Sequence, residues 1–169
     1  MKKISIWIVF FLLLFSSSCG YRFTGGGNFP AGVKSVFISV YKNSTSETGI
    51  ENRFTNDLVN EVTRRQKVAL TGKDKADSIF SGVITTISIE TISRKNTSSS
   101  TERRVTIAVD CKLTNSMGRL IWSRRGISDN EAYDVTSDKQ VTEKNKREAI
   151  SLLSERLAEN IYNRITDDF

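Results

Sequence analysis

The chain has 169 residues, with 25 Lys and Arg against 19 Asp and Glu, a formal charge of +6, no histidine, two cysteines and one proline. The absence of histidine removes the usual general base and the commonest metal-binding side chain. The charge permits anionic partners without requiring one, and the length allows a single domain with one two-layer core.

The chain opens on Lys2 and Lys3, followed by an apolar run, Ile4 to Phe15, broken only by Ser5. Ser16, Ser17, Ser18 and Cys19 come next. A basic start, an apolar stretch and small residues before a cut site predict an export signal over residues 1–18. The run is shorter than the ~20 residues that span a bilayer. A cysteine directly after the small residues resembles a bacterial lipobox, with Ser16 where leucine is usual. The resemblance implies cleavage before Cys19 and a covalent N-acyl diglyceride on it, with no other cofactor. Several acyl chains on one residue anchor firmly, since each buried methylene adds ~0.8 kcal/mol. Gly20, standing where Asp would favour the inner membrane, points by the same resemblance to the periplasmic side of the outer membrane. Export also removes nucleic acid as a partner. Without Lys2 and Lys3 the balance is 23 basic to 19 acidic residues, or +4.

Residues 19–32 read as the lipidated N-terminus and a tether, because Gly25, Gly26, Gly27, Asn28 and Pro30 resist regular structure. The glycines lack the following Gly-Lys-Ser/Thr of a phosphate loop. Tyr21 and Phe23 either sit at the membrane interface or pack on the domain. Residues 33–169 read as one globular domain. Val36, Ile38 and Val40 alternate within a first strand, Val33 to Tyr41. Thr48 to Gln66 is predicted as a helix: Thr48 and Glu51 stand at capping-box spacing, and Ile50, Phe54, Leu58 and Val62 form one apolar stripe. Val68 to Leu70 is a short extended piece and Gly72 to Asp77 a turn.

A long strand is predicted from Ser78 to about Lys95. Ile79, Val83, Ile87 and Ile89 share one parity; Phe80, Ile84 and Ile92 share the other. After a polar loop, Glu102 to Thr114 alternates without a break. Val105, Ile107, Val109, Cys111 and Leu113 face one way, and Arg104, Thr106, Ala108, Asp110 and Lys112 the other, as in a half-buried antiparallel strand. Asn115 to Gly118 makes a hairpin turn. Arg119 to Ser128 is the next strand, with Leu120 and Trp122 on one side and Ile121 and Ile127 on the other. Asp129 to Lys139 reads as irregular. A last helix, about Gln140 to Thr166, carries Ile150, Leu153, Leu157, Ile161 and Ile165, with Leu152, Ala158 and Tyr162 widening the stripe. The expected fold is α+β in two layers: a four-stranded, mostly antiparallel mixed sheet, order β-α-β-β-β-α, with both helices on one face.

Catalytic equipment is sparse. Cys111 lies on the apolar parity of its strand, as an inert thiol does. If Cys19 is acylated, Cys111 has no thiol to pair with. Glu90 and Asp110 form no acid–base pair. The chain reads as a binding or structural protein and not an enzyme. Its basic residues form the candidate site. Arg94 and Lys95 end one strand and Arg103 and Arg104 begin its neighbour, so a hairpin would bring the four together. Arg124 and Arg125 are a second choice. Guanidiniums in a group suit phosphate, although charged strand edges also serve to block aggregation.

The lipobox-like Cys19-Gly20-Tyr21-Arg22-Phe23 is followed by Val36-Phe37-Ile38, Asn43, Thr45, Gly49-Ile50-Glu51, Phe54-Thr55-Asn56 and Leu58. Then come Ala76-Asp77, Gly82-Val83-Ile84 and Gly118-Arg119-Leu120-Ile121-Trp122. In this order the motifs resemble the lipopolysaccharide-assembly lipoprotein family, LptE, over nearly the whole chain. Membership would imply an outer-membrane lipoprotein that plugs the β-barrel LptD, helps it assemble, and assists lipopolysaccharide delivery to the outer leaflet. Family members can also bind lipopolysaccharide. The strand–helix unit is similar, too, to lipoproteins that regulate cell-wall synthases, which usually carry a longer tether.

Overall fold

A computed structural model describes residues 27–30, 32–94 and 100–167, with backbone only at 94 and 100. Cys19, Tyr21, Phe23 and Lys95 lie outside these residues. The elements are β1 (Ser35–Ile38), β2 (Lys42–Asn43), α1 (Ile50–Arg65), β3 (Ala69–Leu70), β4 (Ser78–Arg94), β5 (Ser100–Asn115), β6 (Leu120–Asp134) and α2 (Lys139–Asp167). The sheet runs β3-β1-β4-β5-β6, and β2 also pairs with β4. β1, β2, β3 and β4 pair in parallel, while β4-β5 and β5-β6 are antiparallel. The architecture is the expected α+β mixed sheet carrying two helices. Two strands more than four appear, because β2 and β3 are two-residue pieces at the margin.

β5 follows its sequence pattern throughout: Val105, Ile107, Val109, Cys111 and Leu113 are all buried. Phe54 and Leu58 of α1 and Leu153, Leu157 and Ile161 of α2 meet them in one core. α2 is tied by side chains to α1 and to the loop before it. Arg53 donates to Ser151 Oγ, Ser154 to Asp57, and Lys146 pairs with Glu47. Leu152, expected to widen the buried stripe, is instead exposed.

Three departures share one cause, a bulge that shifts side-chain parity. First, β1 pairs Val36 with Ser78, but β2 pairs Lys42 with Val83, one residue out of step. The expected single strand therefore breaks: Val40 is 59% exposed and Tyr41 turns into the core at 2%. Second, the β4–β5 register slips between Ile84 and Thr86, so Phe80 and Ile84 share the helix-covered face with Ile87 and Ile89. Third, β6 slips near Ile121 and again near Arg125–Gly126, placing Trp122 and Ile127 on one buried side. β6 also continues through Asp129–Asp134, where the sequence predicts irregular structure. There Arg156 of α2 pairs with Asp129 and Glu131, so acidic residues occupy inward positions.

The start of α1 differs as well. Gly49, at φ 84°, is its N-cap and no side chain caps it. Glu51 instead accepts from Asn43 Nδ2. At the other end of α1, buried Glu61 accepts from both Arg64 and Arg65. Burial acts to raise the Glu61 carboxyl, but the two arginines outweigh it and hold it below the ordinary 4.5. A lowered folded value means stability that is present above the ordinary value and lost as pH falls through the folded one. Glu61→Gln should therefore flatten the fall of stability below about pH 4.5, measured by urea unfolding across pH. Equal pH dependence of variant and parent would contradict this.

Candidate functional site

Arg103 and Arg104 do not share a face of the sheet. Arg103 has the parity of Val105 and Ile107 and lies on the helix side of the sheet, opposite Thr91 and Tyr133. Arg104 lies on the open side, opposite Glu90 and Ala132. Adjacent strand residues point to opposite faces, so Arg103 and Arg104 are not brought together as expected. Arg94 ends β4 and Lys95 is outside the described residues. Arg124 stands opposite Cys111, at a helix-side position of β6.

Arg125 belongs to a different group. On the open face, a cleft of about 530 Å³ is lined by Val40, Lys42, Val83, Lys112, Leu120 and Arg125, among others. The β1–β2 bulge turns Val40 outward, and the β6 bulge at Gly126 (φ 64°) aims Arg125 into the group. Lys112 is on the polar parity of β5, opposite Ser81 and Ser123. Lys42, Lys112 and Arg125 are exposed. Among the described residues, no ion pair engages them. Asp110 is the one carboxylate in the lining, and its Oδ1 accepts the Gly126 N–H at 2.8 Å. Val40 and Leu120, 59% and 57% exposed, add apolar surface. Three cations around an apolar floor suit an anionic amphiphile: guanidinium and ammonium groups hold phosphate while the floor takes hydrocarbon. The sequence signal for Lys112 was its polar parity. Nothing in the sequence joined it to Lys42 and Arg125, which arrive from other strands.

Behind the cleft, the sheet is closed by Tyr41. Its ring fills the space above Gly82, and its hydroxyl lies 3.7 Å from Cys111 Sγ. Burial, reinforced by Cys111, pushes the Tyr41 hydroxyl well above its ordinary range. Burial likewise raises the Cys111 thiol to about 12, against the hydrogen bond from Tyr41 and with the nearby Asp110 charge adding to it. Such a thiol is a packing group. Among the described residues, no group of three His, Cys, Asp or Glu is placed to hold a metal. No described helix is long and apolar enough to cross a membrane.

The LptE lipopolysaccharide-assembly family matches residues 33–165. The chain belongs to the LptE family. A search of the curated proteins finds no match. Several solved structures share this fold. A minor lipoprotein from Acinetobacter baumannii is 14% identical, with TM-score 0.58, covering 80% of this chain and 92% of its own. Lipoprotein B from Nitrosomonas europaea is 12% identical, with TM-score 0.58 and coverages of 79% and 83%. The rare lipoprotein B from Shewanella oneidensis is 12% identical, with TM-score 0.52 and coverages of 78% and 95%. At such identities the likeness concerns the fold alone. The family match makes this a lipopolysaccharide-assembly protein.

Proposed function

We propose that this LptE-family protein is a lipoprotein anchored through Cys19 on the periplasmic side of the outer membrane. There it forms a complex with the LptD barrel as plug and assembly factor. It assists lipopolysaccharide delivery and contacts the phosphates of that lipid through the open-face cleft. The family match supports the assembly role, and the lipobox-like sequence before Cys19 supports the anchor. The observation that carries the lipid contact is the cleft, where Lys42, Lys112 and Arg125 surround Val40, Val83 and Leu120. Arg104 stands on the same face, ~27 Å along β5 from Lys112.

The experiment is binding of purified lipopolysaccharide to the protein at two salt concentrations. Each charge-assisted hydrogen bond contributes ~1.5–3 kcal/mol. Lys112→Glu combined with Arg125→Glu should therefore weaken binding at least ~tenfold, and the residual binding should lose its salt dependence. Arg103→Glu, on the other face, should change binding little. Equal binding by a folded cleft variant would contradict the assignment, and loss with Arg103→Glu alone would move the contact to the hairpin.

A further inference from the structure

β4 has two outer neighbours, and both stop early. β1 pairs with it only from Ser78 to Phe80, and β2 only at Val83 and Ile84. The last rung runs from the Ser44 N–H to the Ile84 carbonyl oxygen, at 3.0 Å. Asn43 then turns the chain away, its Oδ1 accepting from the Thr45 N–H and hydroxyl. Past Ile84, β4 pairs with β5 on its inner side, and among the described residues no strand takes its outer side. Bulges beside Thr85 and Ile92 bound the free stretch, Thr86 to Thr91, which is ~20 Å long.

The outward backbone groups follow from the face each side chain takes. Phe80 and Ile84, on the helix-covered face, turn their carbonyl oxygens outward, to the N–H groups of Ser39 and Ser44. Side-chain face and hydrogen-bond direction alternate together along a strand. Ile87, Ile89 and Thr91 share that face, opposite Ile107, Val105 and Arg103, so their N–H and C=O groups also point outward. Among the described residues nothing bonds them. The side chains suit a partner strand as well. The stretch Thr86-Ile87-Ser88-Ile89-Glu90-Thr91 is rich in β-branched residues and holds no Lys, Arg, Pro or Gly. Its one charge, Glu90, lies on the open face opposite Arg104, with its backbone turned toward β5. Ile89 is 41% exposed. The other long edge, β6, is guarded as sheet edges usually are. It carries Arg124, Arg125, Asp129, Glu131 and Asp134, and a bulge at Gly126. One edge is blocked against pairing and the other is not.

We infer that the Thr86–Thr91 edge of β4 takes an extended segment of the barrel partner as an added strand. The inference rests on the barrel-complex reading and assigns that complex a contact surface. Main-chain bonds to Ile87, Ile89 and Thr91 hold the added strand, and its aliphatic or β-branched side chains pack against the two isoleucines. The chain's own tether does not fill the place. Phe29 and Phe80 line one small space, and Gly27 lies against Thr166, which fixes the tether's exit near the start of β4. Thr86 is ~20 Å farther along β4 than Phe80. The eight steps from Gly27 back to Cys19 reach at most ~28 Å, so most of that length is spent before the free edge begins. A second copy does not suit it either. The edge is ~20 Å long and a sheet is ~10 Å thick, so two copies would cover ~200 Å² each, against ~800 Å² per partner in a stable complex. A barrel that already surrounds the domain supplies the rest of the interface. Its own strands close on one another and leave no edge, so the added strand is a loop or terminal segment that reaches the lumen.

The test is residue-resolved hydrogen exchange of the full chain. It compares the complex purified from outer membranes with the chain purified from cells depleted of the barrel. In the free chain the amides of Ile87, Ile89 and Thr91 should exchange faster than those of Ser88 and Glu90, which β5 protects. In the complex the three outward amides should slow by ~tenfold or more. Ile89→Pro removes an outward N–H and spares the β5 ladder, where proline is tolerated on an edge. It should reduce the barrel recovered with the chain severalfold, while Ile89→Val should leave recovery unchanged. If the barrel is recovered but these amides exchange as in the free chain, the strand addition falls and the complex stands. Undiminished recovery with a folded Ile89→Pro chain has the same meaning. Protection in the free chain that grows with its concentration gives the edge to a second copy and overturns the inference. Recovery of no barrel overturns the complex and the inference together.

Discussion

Replacing Gly82 by valine is expected to lower stability by ~3 kcal/mol, at the upper end of the usual cost of overpacking a core. A Cβ at Gly82 would meet the Tyr41 ring at 2.1 Å from Cε1, 2.5 Å from Cδ1 and 2.6 Å from Cζ. The ring cannot retreat. Phe54 and Phe80 stand with their ring centres 6.0 and 6.2 Å from it, and Cys111 lies behind the hydroxyl. The Tyr41 backbone N–H is also committed, to Thr55 Oγ1 at 3.0 Å. β4 is hydrogen-bonded on both sides at this level, to β2 and β5, so the backbone has little freedom to shift. Urea unfolding should show a lower midpoint with an unchanged slope. Tyr41→Ala in the same chain should recover part of the loss, because the two sites share one space. A loss below ~1 kcal/mol would contradict this packing.

Replacing Cys19 by serine is expected to move the protein from the outer membrane into the soluble periplasm almost completely. The proposed anchor rests on acyl chains: one alone binds marginally, with an association constant of ~10⁴ M⁻¹, while several hold firmly. The serine variant carries none. The comparison belongs in cells depleted of the barrel partner, since that complex would hold the protein indirectly. Fractionation should find the variant soluble and the parent with the outer membrane. Retention of the variant on the membrane would contradict the anchor.

The elements most legible in the sequence are those whose periodicity is unbroken. β5 alternates over its whole length, and the helices keep their apolar stripes. Where a bulge inserts a residue, period-2 reasoning assigns every later side chain to the wrong face. That happened at Val40, at Ile87 and at Ile127. The second half of β6 was hidden for another reason: Asp129 and Glu131 occupy inward positions because Arg156 neutralises them from α2. Their polarity reads as loop until the helix is in place. The separation of Arg103 from Arg104 needed only the alternation rule. The cleft group needed the strand order and both bulges, since Lys42, Lys112 and Arg125 lie on three strands.

The central claim is a working complex between this chain and an outer-membrane barrel. It is tested most directly by purifying the affinity-tagged full chain from detergent-solubilised outer membranes and identifying what comes with it. The account predicts an LptD barrel in about equal amount, together with lipopolysaccharide that is depleted by Lys112→Glu with Arg125→Glu. Recovery of the chain without a barrel, or with a cell-wall synthase in its place, would contradict it.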